Sequence, residues 1–198
     1  MLKSYVIAAS VMLSLPLTAQ AQSQEQACEM YVNFETNEEM RSWRSVNDGV
    51  MGGLSSGGAK FDKGVMNFEG VINTNGGGFS SLRSSVVESA LKEAGGVKLR
   101  IRSDGRAYKM TFRTNVTYRG RLISFQSPIP QTPKGQWEEV KVSFSELKGS
   151  LFGRALSGAN FERSEVTEMG IILADGQDGP FRLEVDWIKD CKAIASKT

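Results

Sequence analysis

Apolar and polar residues alternate with a period of two along most of this chain, and that pattern limits what it can fold into more than any other feature. Successive side chains of a strand point to opposite faces, so such alternation marks a sheet with one face buried and one wet. The clearest case runs Val97-Lys98-Leu99-Arg100-Ile101-Arg102, then Ser103-Asp104-Gly105-Arg106, then Ala107-Tyr108-Lys109-Met110-Thr111-Phe112-Arg113. Asp-Gly favours a type I′ turn, which needs positive φ at both central positions, so this segment is expected to form a β-hairpin. In that register Ser103 faces Arg106, Ile101 faces Tyr108, Leu99 faces Met110 and Val97 faces Phe112, which makes the inward pairs apolar.

Similar runs occupy 30–35, 61–73, 78–84, 122–126, 137–144, 166–174 and 180–189. Asn75-Gly76-Gly77, Pro133-Lys134-Gly135 and Asp175-Gly176 supply turns between them. Helical signal is confined to 86–93 and a turn near 145–148. Many short strands without alternating long helices predict an all-β fold, an antiparallel β-sandwich. Without repeats, linkers or low-complexity tracts, residues 22–198 are expected to form a single domain.

Residues 1–21 carry one charge, Lys3, then an apolar stretch from Tyr5 to Leu17 and a small-x-small site, Ala19-Gln20-Ala21. The stretch is shorter than the ~20 residues that span a bilayer. It reads as a cleaved signal peptide, the rival reading being an uncut anchor. The mature chain, with no later run of spanning length, is then expected to be periplasmic and without a transmembrane segment. In such an oxidising compartment Cys28 and Cys191 are expected to pair, the rival reading being two free thiols. A bridge between them brings the two ends of the domain side by side, which suits a jelly roll.

Composition excludes much chemistry. The chain has no histidine, which removes Ser-His-Asp and Cys-His nucleophiles, HExxH metalloproteases and His-ligated metals. Lys plus Arg is 24 against 22 Asp plus Glu, a net charge of +2 that does not suit a nucleic-acid binder. Gly53-Leu54-Ser55-Ser56-Gly57 matches a nucleophile elbow but has no base, and reads as a flexible glycine loop. Ser145-Glu146-Leu147-Lys148 matches SxxK without its KTG partner. Gly53 to Lys60 approaches a phosphate loop, but Ala59 breaks it, and Gly76-Gly77-Gly78 lacks dinucleotide spacing. A two-carboxylate glycosidase is the remaining catalytic reading, and sequence does not locate such a pair.

One constellation carries a signal. Trp43-Arg44-Ser45-Val46-Asn47-Asp48-Gly49-Val50-Met51-Gly52-Gly53-Leu54-Ser55 sets an aromatic, a guanidinium, an amide and a carboxylate before a Met-Gly-Gly turn. Later comes Gly78-Phe79-Ser80-Ser81-Leu82-Arg83. Two readings stand. Either the loop brings polar groups to a binding surface, or Asn47 and Asp48 cap their own loop and Arg83 pairs with Asp48.

The motif W-x-x-V-N-D-x-V-M-G-G-x-S resembles the signature of the complex I intermediate-associated protein family. Asp104-Gly105-Arg106-Ala107-Tyr108, Trp137 with Val140-Lys141-Val142-Ser143-Phe144, and Gly179 through Ile188 agree in order, so the resemblance covers about residues 31–190. It implies a galactose-binding-like jelly roll and a non-catalytic, chaperone-like assembly factor with no cofactor. Known members serve complex I in mitochondria, or photosynthetic complexes, whereas this chain opens with a bacterial-type export signal. The hydrophilic arm of complex I faces the other side of the membrane from an exported protein, and function belongs to sites rather than folds.

Two binding modes follow. In one, the exposed loop residues Trp43, Asn47, Asp48, Met51 and Arg83 dock a protein partner or complex subunit, and Gly52, Gly53 and Ser55 of the same loop belong to that binding site. In the other, the jelly roll binds a glycan through Trp43, Tyr118, Arg106 and Arg113. The expected hairpin also presents a basic face of Lys98, Arg100, Lys109 and Arg113, with Arg100 opposite Lys109. Facing like charges are unfavourable unless carboxylates such as Glu138, Glu139, Glu184 or Asp186 lie nearby; otherwise the face suits an anionic partner. By resemblance to sugar-binding jelly rolls, Glu35 and Asp186 fall where Ca²⁺ can sit. Two carboxylates make only part of a 6–8 oxygen shell, so no metal is expected.

Overall fold

The computed structural model describes residues 27–193, so the expected signal peptide at 1–21 lies outside the described residues. The strands are β1 (Cys28–Val32), β2 (Arg44–Asn47), β3 (Ser56–Asp62), β4 (Val65–Ile72), β5 (Ser80–Ser85), β6 (Ala94–Ser103), β7 (Tyr108–Tyr118), β8 (Arg121–Pro128), β9 (Trp137–Ser143), β10 (Lys148–Leu151), β11 (Arg154–Leu156), β12 (Glu168–Leu173) and β13 (Gly179–Lys192). One sheet has the order β3-β4-β13-β6-β9, with β1 also paired to β13. The other runs β11-β10-β8-β7-β12-β5-β2. The ladders are antiparallel, and the two sheets face each other as the expected β-sandwich.

The inward residues of both sheets make one core. Phe68 on β4 meets Phe181 on β13 edge-on at 4.8 Å and reaches across to Tyr108 on β7 at 6.3 Å. Phe112 packs edge-on against Phe144 at 5.0 Å, with Phe161 closing on both. Fully burying one such ring contributes roughly 1.5–3 kcal/mol.

The expected hairpin at Asp104-Gly105 is not formed. β6 lies in one sheet between β13 and β9, whereas β7 lies in the other between β12 and β8. Both apolar faces point inward as read: Val97, Leu99 and Ile101 are buried from one side, and Tyr108, Met110 and Phe112 from the other. Alternation fixes which side chains face the core, but it does not say whether the next strand pairs alongside or crosses over. The Asp104 carboxylate directs the crossing, accepting from the N–H of Arg106 at 3.0 Å and of Arg182 at 2.7 Å. Arg100 thereby escapes Lys109 and pairs with Asp186 on β13, while Arg102 pairs with Glu184 and Lys98 with Glu139. The clash that the hairpin implied was the signal against it.

The basic face is divided by the same correction. Lys98 and Arg100 sit on the outside of one sheet and Lys109 and Arg113 on the outside of the other. Asp186, one of the two carboxylates weighed for Ca²⁺, pairs with Arg100. Among the described residues no group of three His, Cys, Asp or Glu is placed to hold an ion.

Smaller differences have local causes. The run 61–73 divides into β3 and β4 because Lys63 and Gly64, at φ 50° and 75°, turn the chain. Residues 86–93 form turns rather than a helix, and a short helix instead occupies Asn37–Arg41, started by a Thr36–Glu39 capping box. The first and last strands of the described residues meet as expected. β1 pairs with β13, Cys28 lies opposite Cys191, and the two form a disulfide.

Candidate functional site

The signature motif begins as an edge strand. β2 pairs with β5, then a 3-10 turn at Asp48–Met51 ends on Gly52 at φ 87°. At the centre is Asp48, fully buried. Its carboxylate accepts from the Ser55 N–H at 2.9 Å, the Ser55 hydroxyl at 2.5 Å, and the N–H groups of Gly78 at 2.6 Å and Phe79 at 3.2 Å. Burial raises its pKa, but the bonds from Ser55, Gly78 and Phe79 outweigh this and hold the carboxyl below its ordinary value. A Cβ at Gly53 or Gly77 would lie 2.3 or 2.4 Å from Asp48 side-chain atoms, so both positions need glycine for the backbone to close around the carboxylate.

The rest of the motif is also engaged internally. The Asn47 amide donates to the Gly57 carbonyl at 3.0 Å, and its oxygen accepts from the Ser80 hydroxyl at 2.6 Å. Trp43 is buried against Phe34, with ring centroids 5.8 Å apart. Ser55, the serine of the apparent nucleophile elbow, is buried and bonded to Asp48, and its Gly53-to-Gly57 loop is tightly packed rather than flexible. The expectation that Trp43, Asn47, Asp48 and Ser55 face a partner is therefore corrected, because they build the loop. Exposed instead are Val50 at 74%, Met51 at 63% and Leu54 at 65%. Of these only Met51 was anticipated; the available signal was apolar residues between polar ones already consumed by the turn.

Arg106 is likewise structural. Its guanidinium grips Asp175 through Nε at 2.9 Å and Nη2 at 2.6 Å, and donates to the carbonyls of Gly179 at 3.1 Å and Pro180 at 3.2 Å. It thus ties the link between the sheets to the loop that precedes β13. Arg106→Ala strands a buried carboxylate, and urea unfolding is expected to show a loss of about 3–5 kcal/mol. Tyr118 lies exposed near the end of β7, with the Arg119 guanidinium over its ring at 5.3 Å.

The loop borders a cleft of about 340 Å³ on the outer face of the second sheet. Arg83, Lys109, Arg113, Ser124, Gln126 and Ile172 make its floor, from β5, β7, β8 and β12. Met51 and Phe79 stand on one side, and Phe152, 66% exposed, on the other. Arg83 does not pair with Asp48, whose oxygens are already filled. Burial, then the neighbouring charge of Arg113, lowers the Arg83 pKa to about 10; Glu168 raises it in part and Arg44 lowers it further. Asp48 is the one carboxylate among the lining residues, so the two acids of a glycosidase do not meet here.

A family profile described as "Complex I intermediate-associated protein 30 (CIA30)" matches residues 32–185. The chain belongs to the complex I intermediate-associated protein 30 family. It is similar to the mouse protein named "Complex I intermediate-associated protein 30, mitochondrial", 34% identical over 92 residues that cover 46% of this chain and 28% of that protein. A probable family member of Caenorhabditis elegans is 32% identical over 94 residues, covering 46% and 27% respectively. The matches therefore span well under half the length of these relatives.

Among solved structures, the family 11 carbohydrate-binding module of the cellulosomal cellulase Lic26A-Cel5E of Clostridium thermocellum superposes with a TM-score of 0.65. It is 16% identical, and the superposition covers 88% of this chain and 99% of that one. A second structure of that module, with a β-1,3-1,4-mixed-linked tetrasaccharide, gives 0.63 at 18% identity, covering 84% and 96%. At such identity the likeness concerns the fold, and it agrees with the jelly roll expected from sequence.

Proposed function

We propose that this family member is a non-catalytic assembly module that holds a protein partner, or an intermediate of a larger complex, on the surface formed by Val50, Met51 and Leu54 and continued across the cleft by Phe152. One observation carries this reading: three large apolar side chains stand exposed on a loop locked from below by a buried, fully bonded carboxylate. Clustered exposed apolar groups on a soluble fold mark contact surfaces. A loop that is rigid beforehand loses little entropy on docking. The family name is in accord with such a role, and the Cys28–Cys191 disulfide supports placing the mature single-domain chain in an oxidising, periplasmic space after removal of 1–21.

Met51→Asp tests the reading. Chemical crosslinking followed by capture from the native envelope is expected to lose its specific partner, while the melting temperature stays within the range of a surface change of about 0.5 kcal/mol. Undiminished capture contradicts it. A glycan-binding reading rests on Ser124, Gln126 and Phe152 sharing the cleft; hits on a glycan array that Phe152→Ala abolishes, with Met51→Asp silent, would favour that reading instead.

A further inference from the structure

Four cations gather on the outer face of the second sheet around a single carboxylate. Arg44 faces Arg83 across β2 and β5, and Glu168 faces Arg113 across β12 and β7. Glu168 pairs with Arg44 and lies 3.6 Å from Arg113, so its charge is already shared. Neither Arg83 nor Lys109 has a carboxylate within 4.0 Å among the described residues. Asp48, at the edge of the same cleft, gives both its oxygens to Ser55, Gly78 and Phe79.

The sheet also aims Arg83. Gly170 sits between Arg83 on β5 and Thr111 on β7, and a Cβ there would lie 3.2 Å from the Arg83 Cγ. With no side chain at 170, the Arg83 stem can lie low over β12 toward β7, which carries Arg113. Two half-buried guanidiniums then share a floor on which Glu168, already held by Arg44, is the one carboxylate beside Arg113 and none lies beside Arg83, an excess of positive charge unfavourable to the empty protein and favourable to one that receives an anion.

We infer that this floor binds a carboxylate side chain of an acidic segment in the protein partner, held between Arg83 and Arg113, with apolar neighbours of that carboxylate resting on Met51 and Phe152. The inference deepens the docking reading and rests on it. Charge complementarity selects an acidic occupant, and a guanidinium binds a carboxylate through two parallel bonds. Ile172 is the apolar side chain of the floor, and the apolar rims suit a segment that mixes glutamate or aspartate with leucine-like residues.

The test uses the whole mature protein and three probes: a labelled synthetic peptide alternating glutamate with leucine, its glutamine counterpart, and tetragalacturonate. The glutamate peptide is expected to bind at least roughly tenfold more tightly than the glutamine one, as loss of a charge-assisted pair implies. Arg83→Gln is expected to erase that preference without lowering the melting temperature, because it removes a buried charge crowded by others; Arg113→Gln serves as the second variant. Equal binding of the two peptides, binding of neither, or a preference that survives both variants overturns the inference. So does tetragalacturonate binding that Arg83→Gln abolishes while the glutamate peptide stays unbound, which would assign the floor to an acidic glycan. Each of these results leaves the docking reading standing if Met51→Asp still abolishes partner capture, whereas undiminished capture by Met51→Asp removes the docking reading itself.

Discussion

Replacing Asp48 by alanine is expected to lower stability by at least about 3 kcal/mol, since each buried donor left without a partner costs about 1–3 kcal/mol. The change strands the N–H groups of Ser55, Gly78 and Phe79, leaves the Ser55 hydroxyl with Asn73 alone, and opens a void between Gly53 and Gly77. Against a total of about 5–15 kcal/mol for a domain of ordinary stability, that is a large share. Urea unfolding monitored by fluorescence measures it. The pH dependence follows from the same bonds. A carboxyl whose folded pKa lies below its unfolded value of about 4 contributes stability that is complete above pH 4 and is lost as pH falls through the folded pKa. Asp175, bonded by Arg106 and the Gln177 N–H against its burial, and Glu184, bonded by Arg102 and Arg182, are lowered too and act in the same direction. Stability is therefore expected to drop below about pH 4, and Asp48→Ala to flatten that drop.

Loss of the disulfide is expected to have the other large effect. Cys28 and Cys191 are 163 residues apart, and a closed loop of that size restricts the unfolded chain by roughly 5 kcal/mol in the chain-entropy account. The bridge also pins β1 to β13, where Cys28 faces Cys191 and Glu29 faces Asp190. The double variant Cys28→Ser/Cys191→Ser is expected to melt many degrees lower, and hydrogen exchange is expected to show β1 opening before the remaining strands. Equal melting temperatures for oxidised and reduced protein would contradict this.

The fold was legible because burial leaves a periodic trace. Val97, Leu99 and Ile101, and Tyr108, Met110 and Phe112, were read as core and are core. The pairing of those strands was not legible, because an inward face looks the same from either sheet, and Asp104-Gly105 serves a crossing as well as a hairpin. The like-charge pair Arg100–Lys109 was the one mark of error; of the four carboxylates named beside it, Glu139, Glu184 and Asp186 pair with Lys98, Arg102 and Arg100, and Glu138 is in none of these pairs. At the candidate site the sequence drew attention to the right segment and misjudged its polar residues. Asn47, Asp48 and Ser55 have the chemistry of a binding site, but a short loop that must turn sharply consumes such groups itself. The cleft was out of reach of sequence reasoning because Arg83, Arg113 and Phe152 come from distant segments and meet only through the order of the second sheet.

The bonds to Asp48 make the signature loop a locked scaffold rather than a mobile recognition strand. Native-state hydrogen exchange at the amides of Ser55, Gly78 and Phe79 tests this most directly, since all three donate to the Asp48 carboxylate. Exchange that proceeds only through global unfolding, and becomes fast in Asp48→Ala, is the predicted result. Rapid exchange at those amides in the unmodified protein would contradict it.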